Sequence, residues 1–202
     1  MSLRACPYLP MEILLEMKNR KNMKKLMLIA ALLPLGLCAQ DRYATRDGNI
    51  TFTSDTPVEK IHAENGKVTC VFDAATGAIE FAALIRGFEF EKALMQEHFN
   101  ENYMESAKFP KATFKGTLTG LPEGASKPGT YPVTAAGVLS IHGVTKGIEE
   151  KATIVVNEDG TMKADCTFIV APEDHDIVIP SVVRKSIAET VQVVVALVLA
   201  KM

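Results

Sequence analysis

Short stretches in which apolar and polar side chains alternate, punctuated by turn residues, constrain this chain more than any other feature. Ile79-Glu80-Phe81-Ala82-Ala83 alternates in this way, as do Ala112–Leu118, Lys151–Val156 and Lys163–Phe168. Successive side chains of a strand project to opposite faces, so each stretch reads as a strand with one dry and one wet face. Glu64-Asn65-Gly66, Ala75-Thr76-Gly77, Pro122-Glu123-Gly124, Lys127-Pro128-Gly129 and Glu158-Asp159-Gly160 stand between such stretches. Asn-Gly and Asp-Gly tolerate the positive φ of tight hairpins, which predicts antiparallel neighbours. A meander of this kind folds as a sandwich or closes as a barrel.

The last stretch, Val191–Leu199, is apolar in both phases. It is too short to cross a bilayer as a helix, and its β-branching favours a strand. An open edge of that composition would aggregate, so pairing on both sides is expected, and that favours closure. One segment departs from alternation. Phe88–Met104 places Leu94, Met95, His98, Phe99 and Tyr103 on one helical stripe. The expected fold is all-β: an antiparallel barrel of about eight strands with one short helical insertion covering an end.

Composition narrows the partners. With 48% hydrophobic and 23% charged residues, the chain is that of a folded domain, not a disordered or collagen-like one. The first 39 residues hold six basic and two acidic residues, which leaves 16 basic and 22 acidic residues, a net charge of −6, on residues 40–202. An acidic body without a long basic run is a poor match for phosphate backbones, so nucleic acid is not expected as a partner.

Residues 1–39 read as a leader. Met23-Lys24-Lys25, the apolar run Leu26–Leu37 and the exit Leu37-Cys38-Ala39 have the three parts of a secretory signal, with Met23 the expected start and cleavage expected after Ala39. A lipid-modified Cys38 is the less favoured alternative, because bulky Leu37 precedes it. The expected location is the periplasm or the exterior, with residues 40–202 forming one domain and no membrane-spanning segment left after cleavage. Cys70 and Cys166 then remain in an oxidising compartment, where they form a disulfide or serve as two buried small hydrophobes. No metal-ligand spacing is present, and no cofactor is expected.

The chain resembles the YceI-like polyisoprenoid-binding family of secreted bacterial proteins over residues 48–200. The resemblance is carried by Ile50–Ser54, by Leu94–Phe99 leading to Tyr103–Ser106, and by Phe109–Gly116. Gly137–Lys146, Asp176–Pro180 and the final valine-rich strand complete it in the same order. It implies a lipocalin-like barrel whose lumen holds a long isoprenoid or similar amphipathic lipid, a binding or carrier protein rather than an enzyme. The sequence differs from the family in lacking Trp, in a short, plain first strand, and in Asp174-His175-Asp176 where many relatives carry an Arg-containing motif.

Strand parity nominates the inward side chains that would line such a lumen: Phe81, Phe88, Phe90, Phe114, Val133, Leu139, Ile141, Ile154, Phe168, Val193 and Val195, with Leu94 and Phe99 from the helix. The same pattern is equally that of a packed core, because periodicity fixes faces and not voids. Such a filled barrel would be a stress or interaction protein without a ligand. An enzyme acting on a lipid or quinone head group through His98 or His175 is the third reading, but no nucleophile stands in a recognisable motif. His98 is expected half-buried on its stripe, His175 in a solvated loop, and His142 in a hairpin turn set by Gly143 and Lys146. A homodimer is left open.

Overall fold

The computed structural model describes residues 41–122, 125 and 127–202, so the leader lies outside the described residues. Nine strands follow one another: β1 (Arg42–Asp55), β2 (Lys60–Asp73), β3 (Ala78–Leu84), β4 (Glu89–Phe90), β5 (Lys111–Thr119), β6 (Gly129–Ile141), β7 (Val144–Val156), β8 (Met162–Val170) and β9 (Val191–Lys201). Eight of them close a ring in the order β1-β9-β8-β7-β6-β5-β3-β2, with β2 returning to β1. The two-residue β4 pairs with β2 through Ala63 and Glu64, extending the wall beyond the reach of β3. The expected antiparallel barrel is therefore present. Its short helix, α1 (Ala93–His98), runs into a π-helical turn at Phe99–Tyr103.

β9 pairs with β8 along one side and with β1 along the other, as its composition requires. Only its Val191, Val193, Val195, Leu197 and Leu199 phase is turned inward; Val194 and Val198 face water. The first strand is not short: β1 runs for 14 residues, kinked where its register against β2 and β9 shifts between Thr45 and Asn49.

Glu64-Asn65-Gly66 makes no hairpin. It lies inside β2, where Gly66 and Lys67 of β2 oppose the single Asn49 of β1 between the Gly48↔Val68 and Ile50↔Asn65 pairs. Asn65 is buried there, donating from Nδ2 to the Leu84 carbonyl at 3.0 Å and accepting the Lys67 N–H at 2.9 Å. Its amide replaces the ladder bonds that the bulge removes. His142-Gly143 does turn a two-residue hairpin between β6 and β7. Both residues take positive φ, 52° and 78°, the conformation whose twist matches the flanking strands.

The wall is unequally bonded. β6 and β7 pair in an unbroken run from Gly129↔Val156 to Ile141↔Val144. β7 and β8 pair only from Ala152↔Cys166 to Val156↔Met162. Beyond Ala152 the two strands separate, and the 171–190 connection lies over the opened seam. Lys146 Nζ meets Asp174 Oδ1 at 2.8 Å, and His175 Nδ1 faces the Val144 carbonyl at 3.4 Å. His175 is thus buried, not solvated as expected, because its ring is spent on the free edge of β7. Burial also pulls its pKa below the ordinary value of 6.5.

Candidate ligand-binding site

Inward side chains of the ring form two unlike halves. At the end that holds the 74–77 and 157–161 turns, Tyr43, Phe72, Val156, Met162 and Leu199 are fully packed against one another. At the end that holds the 85–110 and 171–190 connections, many inward side chains, Phe52, Phe81, Phe114 and Phe168 among them, are only half-buried and surround a cavity of about 410 Å3. That volume is in the range of small-molecule sites, roughly 300–1,000 Å3. Ile50, Ile79, Leu118, Ile154 and Leu197 make the floor of the cavity. Pro172, Ile177, Ile179, Val183 and Ile187 of the 171–190 connection line it where β7 and β8 part.

Most residues nominated by strand parity and by the helical stripe meet here. Phe81, Phe88, Phe90, Phe99, Phe114, Leu139, Ile141, Ile154, Phe168, Val193 and Val195 all line the cavity. Two do not. Val133 is buried but belongs to the packed core, because its row of β6 lies toward the closed end. Leu94 is 62% exposed. The helical stripe is centred on Met95, His98 and Phe99, which reach the cavity, and Leu94 falls on its flank, about a quarter-turn away at 100° per residue.

Phe52 is the most consequential residue missed from the sequence. Its ring stands 5.5 Å from Phe88, 5.7 Å from Phe90 and 5.4 Å from Phe99. Phe99 in turn lies 5.0 Å from Phe90 and 5.6 Å from Phe88, so the helical segment is pinned to the barrel mouth by aromatic contacts. The signal was in the sequence, since Phe52 alternates with Thr51 and Thr53 in β1. Gly116 and Gly137 face each other across β5 and β6 in the inward phase, and a Cβ on Gly137 would clash with the Lys115 carbonyl oxygen. This bare pair leaves wall area to which no side chain is attached.

Polar groups on the cavity wall are few. Ser54 Oγ accepts the Ala188 N–H at 2.8 Å, tying the 171–190 connection to β1. Glu59 is held by Lys92 Nζ at 2.9 Å. His98 lies exposed at the mouth. Cys166 also faces the cavity; burial and the Glu150 carboxylate both raise its pKa. Cys70, on β2, is buried and pushed up to about 12 by that burial. Both cysteines are free thiols, so no disulfide joins β2 to β8.

The YceI-like domain model matches residues 43–199, the whole of the ring. The chain belongs to the YceI-like family. Among solved structures, a polyisoprenoid binding domain from Saccharophagus degradans superposes with a TM-score of 0.70 at 13% identity, covering 81% of this chain and 99% of that one. BcnA of Burkholderia cenocepacia gives 0.62 at 17% identity, over 76% and 96% of the two chains. The YceI protein of Campylobacter jejuni gives 0.53 at 16%, over 69% and 84%. At such identities the likeness is one of fold. No curated protein sequence matches the chain. Among the described residues, no helix is long and apolar enough to cross a membrane.

Proposed function

We propose that this YceI-like barrel binds the apolar chain of an isoprenoid or similar amphipathic lipid in its hollow half and carries it outside the cytoplasm. The observation that carries the reading is the cavity of about 410 Å3 walled by phenylalanine and aliphatic side chains on a closed barrel. Each CH₂ moved from water into such a space contributes about 0.8 kcal/mol, so length of chain supplies most of the affinity. The description of the S. degradans relative as a polyisoprenoid binding domain supports the ligand class, and the secretory pattern of residues 23–39 supports the location.

On this reading the protein works by burial and catalyses nothing. His98 stands exposed with no nucleophile beside it in sequence, and His175 is committed to the β7 edge. The fully packed alternative describes only the Phe72–Leu199 half of the barrel. Native mass spectrometry of the chain expressed with its leader and gently extracted from a bacterial periplasm tests the proposal. A stoichiometric lipid mass is expected. A protein that is wholly free of lipid after that extraction refutes it.

A further inference from the structure

The charged groups on the cavity wall are all of one sign. Glu59, Glu150 and Asp165 line the cavity, and among the described residues no lysine or arginine does. Two of the three carboxylates are disposed of by geometry. Glu59 is neutralised by Lys92 at 2.9 Å. Asp165 is exposed and out of phase with its inward neighbours Ala164 and Cys166, so it contributes its backbone to the wall. Glu150 is different. It shares the phase of Ile148, Ala152 and Ile154, which all line the cavity, while Glu149 and Lys151 beside it face water.

Glu150 also stands where the wall opens. Its partner across β6 is Ala135, and the β7–β8 ladder ends two residues away, at Ala152↔Cys166. Its charge is felt by the Cys166 thiol on the facing strand. No cation neutralises it: among the described residues Glu150 takes part in no ion pair. The inward-phase cation nearest to it on β7, Lys146, is engaged by Asp174 at 2.8 Å, and Arg184 of the covering connection by Glu173. A carboxylate in a mostly apolar space needs a hydrogen-bond donor or a cation, and it repels another anion more strongly there than in water.

We infer that the lipid held in this lumen carries a neutral donor or cationic head group, an alcohol, amide or amine placed at the β7–β8 seam beside Glu150, and that phosphate and diphosphate heads are rejected. This rests on the lumen-binding reading above and narrows it. A diphosphate at this position would meet Glu150 with no lysine or arginine on the wall to offset it, the one histidine there, His98, standing exposed at the mouth. An ammonium or hydroxyl would instead donate to the carboxylate.

The test uses the mature chain and three probes that share one tail: geranylgeraniol, geranylgeranylamine and geranylgeranyl diphosphate, each competed against a fluorescent fatty-chain reporter. The alcohol and amine are expected to bind at least about tenfold tighter than the diphosphate, the size of a modest charge term in a half-dry site. In Glu150→Gln the advantage of amine over diphosphate should shrink about fivefold, while the alcohol is little changed. Glu150→Lys should favour the diphosphate. Equal binding of all three heads overturns the head-group inference and leaves lumen binding intact. The expected order with no response to either Glu150 variant overturns the assignment to this residue. Failure of all three to displace the reporter overturns both readings together.

Discussion

The two halves of this barrel are built from the same alternation and end in opposite states. Phe72, Met162 and Leu199 are 0% exposed, and the inward side chains around them are buried. Around Phe52, Phe81, Phe114 and Phe168 the inward side chains are as large, yet they stand half-buried around open space. Side-chain volume therefore does not decide between core and lumen. The difference lies in the wall. At the packed end β1, β2, β7, β8 and β9 are laced to their neighbours, β2 to β3 and β7 to β8 through short turns. At the hollow end β7 and β8 part after Ala152, and the wall is completed by the 171–190 connection and the helical segment. A ring that gives up one seam widens, and the widened half cannot be filled by its own side chains.

Substitutions separate the halves most sharply where packing is tightest. Phe72→Ala should cost about 3–5 kcal/mol, because a fully buried ring leaves a cavity that the closed end cannot collapse into. Chemical denaturation checks it, and a loss under about 1 kcal/mol would show that the packed end is looser than described. Gly137→Ala should cost less, about 1–3 kcal/mol, since the new methyl meets the Lys115 carbonyl and the strands must shift. Melting temperature measures the loss, and an unchanged value would show that β5 and β6 shift apart without cost.

Phe99→Ala should divide stability from retention. Its ring touches three phenylalanines at the mouth but is only half-buried, so a loss of about 1–2 kcal/mol is expected, with a severalfold faster lipid off-rate. If the off-rate is unchanged and stability falls steeply, the helical segment is a plug and not the cover of an entrance. Leu94→Ser, on the exposed flank of the same helix, should change neither.

The seam also has an expected pH signature. The unfolded His175 ring takes up a proton at its ordinary value of 6.5, and burial holds the folded value lower. Between the two, the unfolded chain binds more protons, so stability should decline as pH falls below about 6.5. Melting temperatures at pH 7 and pH 5 measure the decline, and it should be smaller in His175→Gln. An equal decline in both proteins would place the acid sensitivity elsewhere.

The architecture was legible because alternation and β-branching are local. Of the eleven side chains nominated by parity ten line the cavity, and of the two from the helical stripe Phe99 does. The failures come from features that a local pattern does not carry. Asn65-Gly66 has hairpin chemistry, but the same chemistry serves a bulge, and the long β1–β2 pairing chose the bulge. His175, between two aspartates, looks solvated until the 171–190 connection folds back on β7. Leu94 was misplaced by a stripe drawn too wide. Glu150 was detectable as the one acidic residue in the phase of Ile148, Ala152 and Ile154, but its meaning depends on an unpaired strand edge that no sequence period reports.

The pairing of β1 with β9 has a consequence for the order of events in the life of the chain. Ile50 lies against Val195, 145 positions further along, and the ring has no other closure between its first and last strands. Contacts of such separation form late, because the intervening chain must be ordered before they are rewarded. Until Gln192–Ala196 arrives, the hollow half is one face of a curved open sheet and encloses nothing. Any ligand of the lumen can therefore be enclosed only by the completed chain, and a molecule interrupted before β9 is empty by construction.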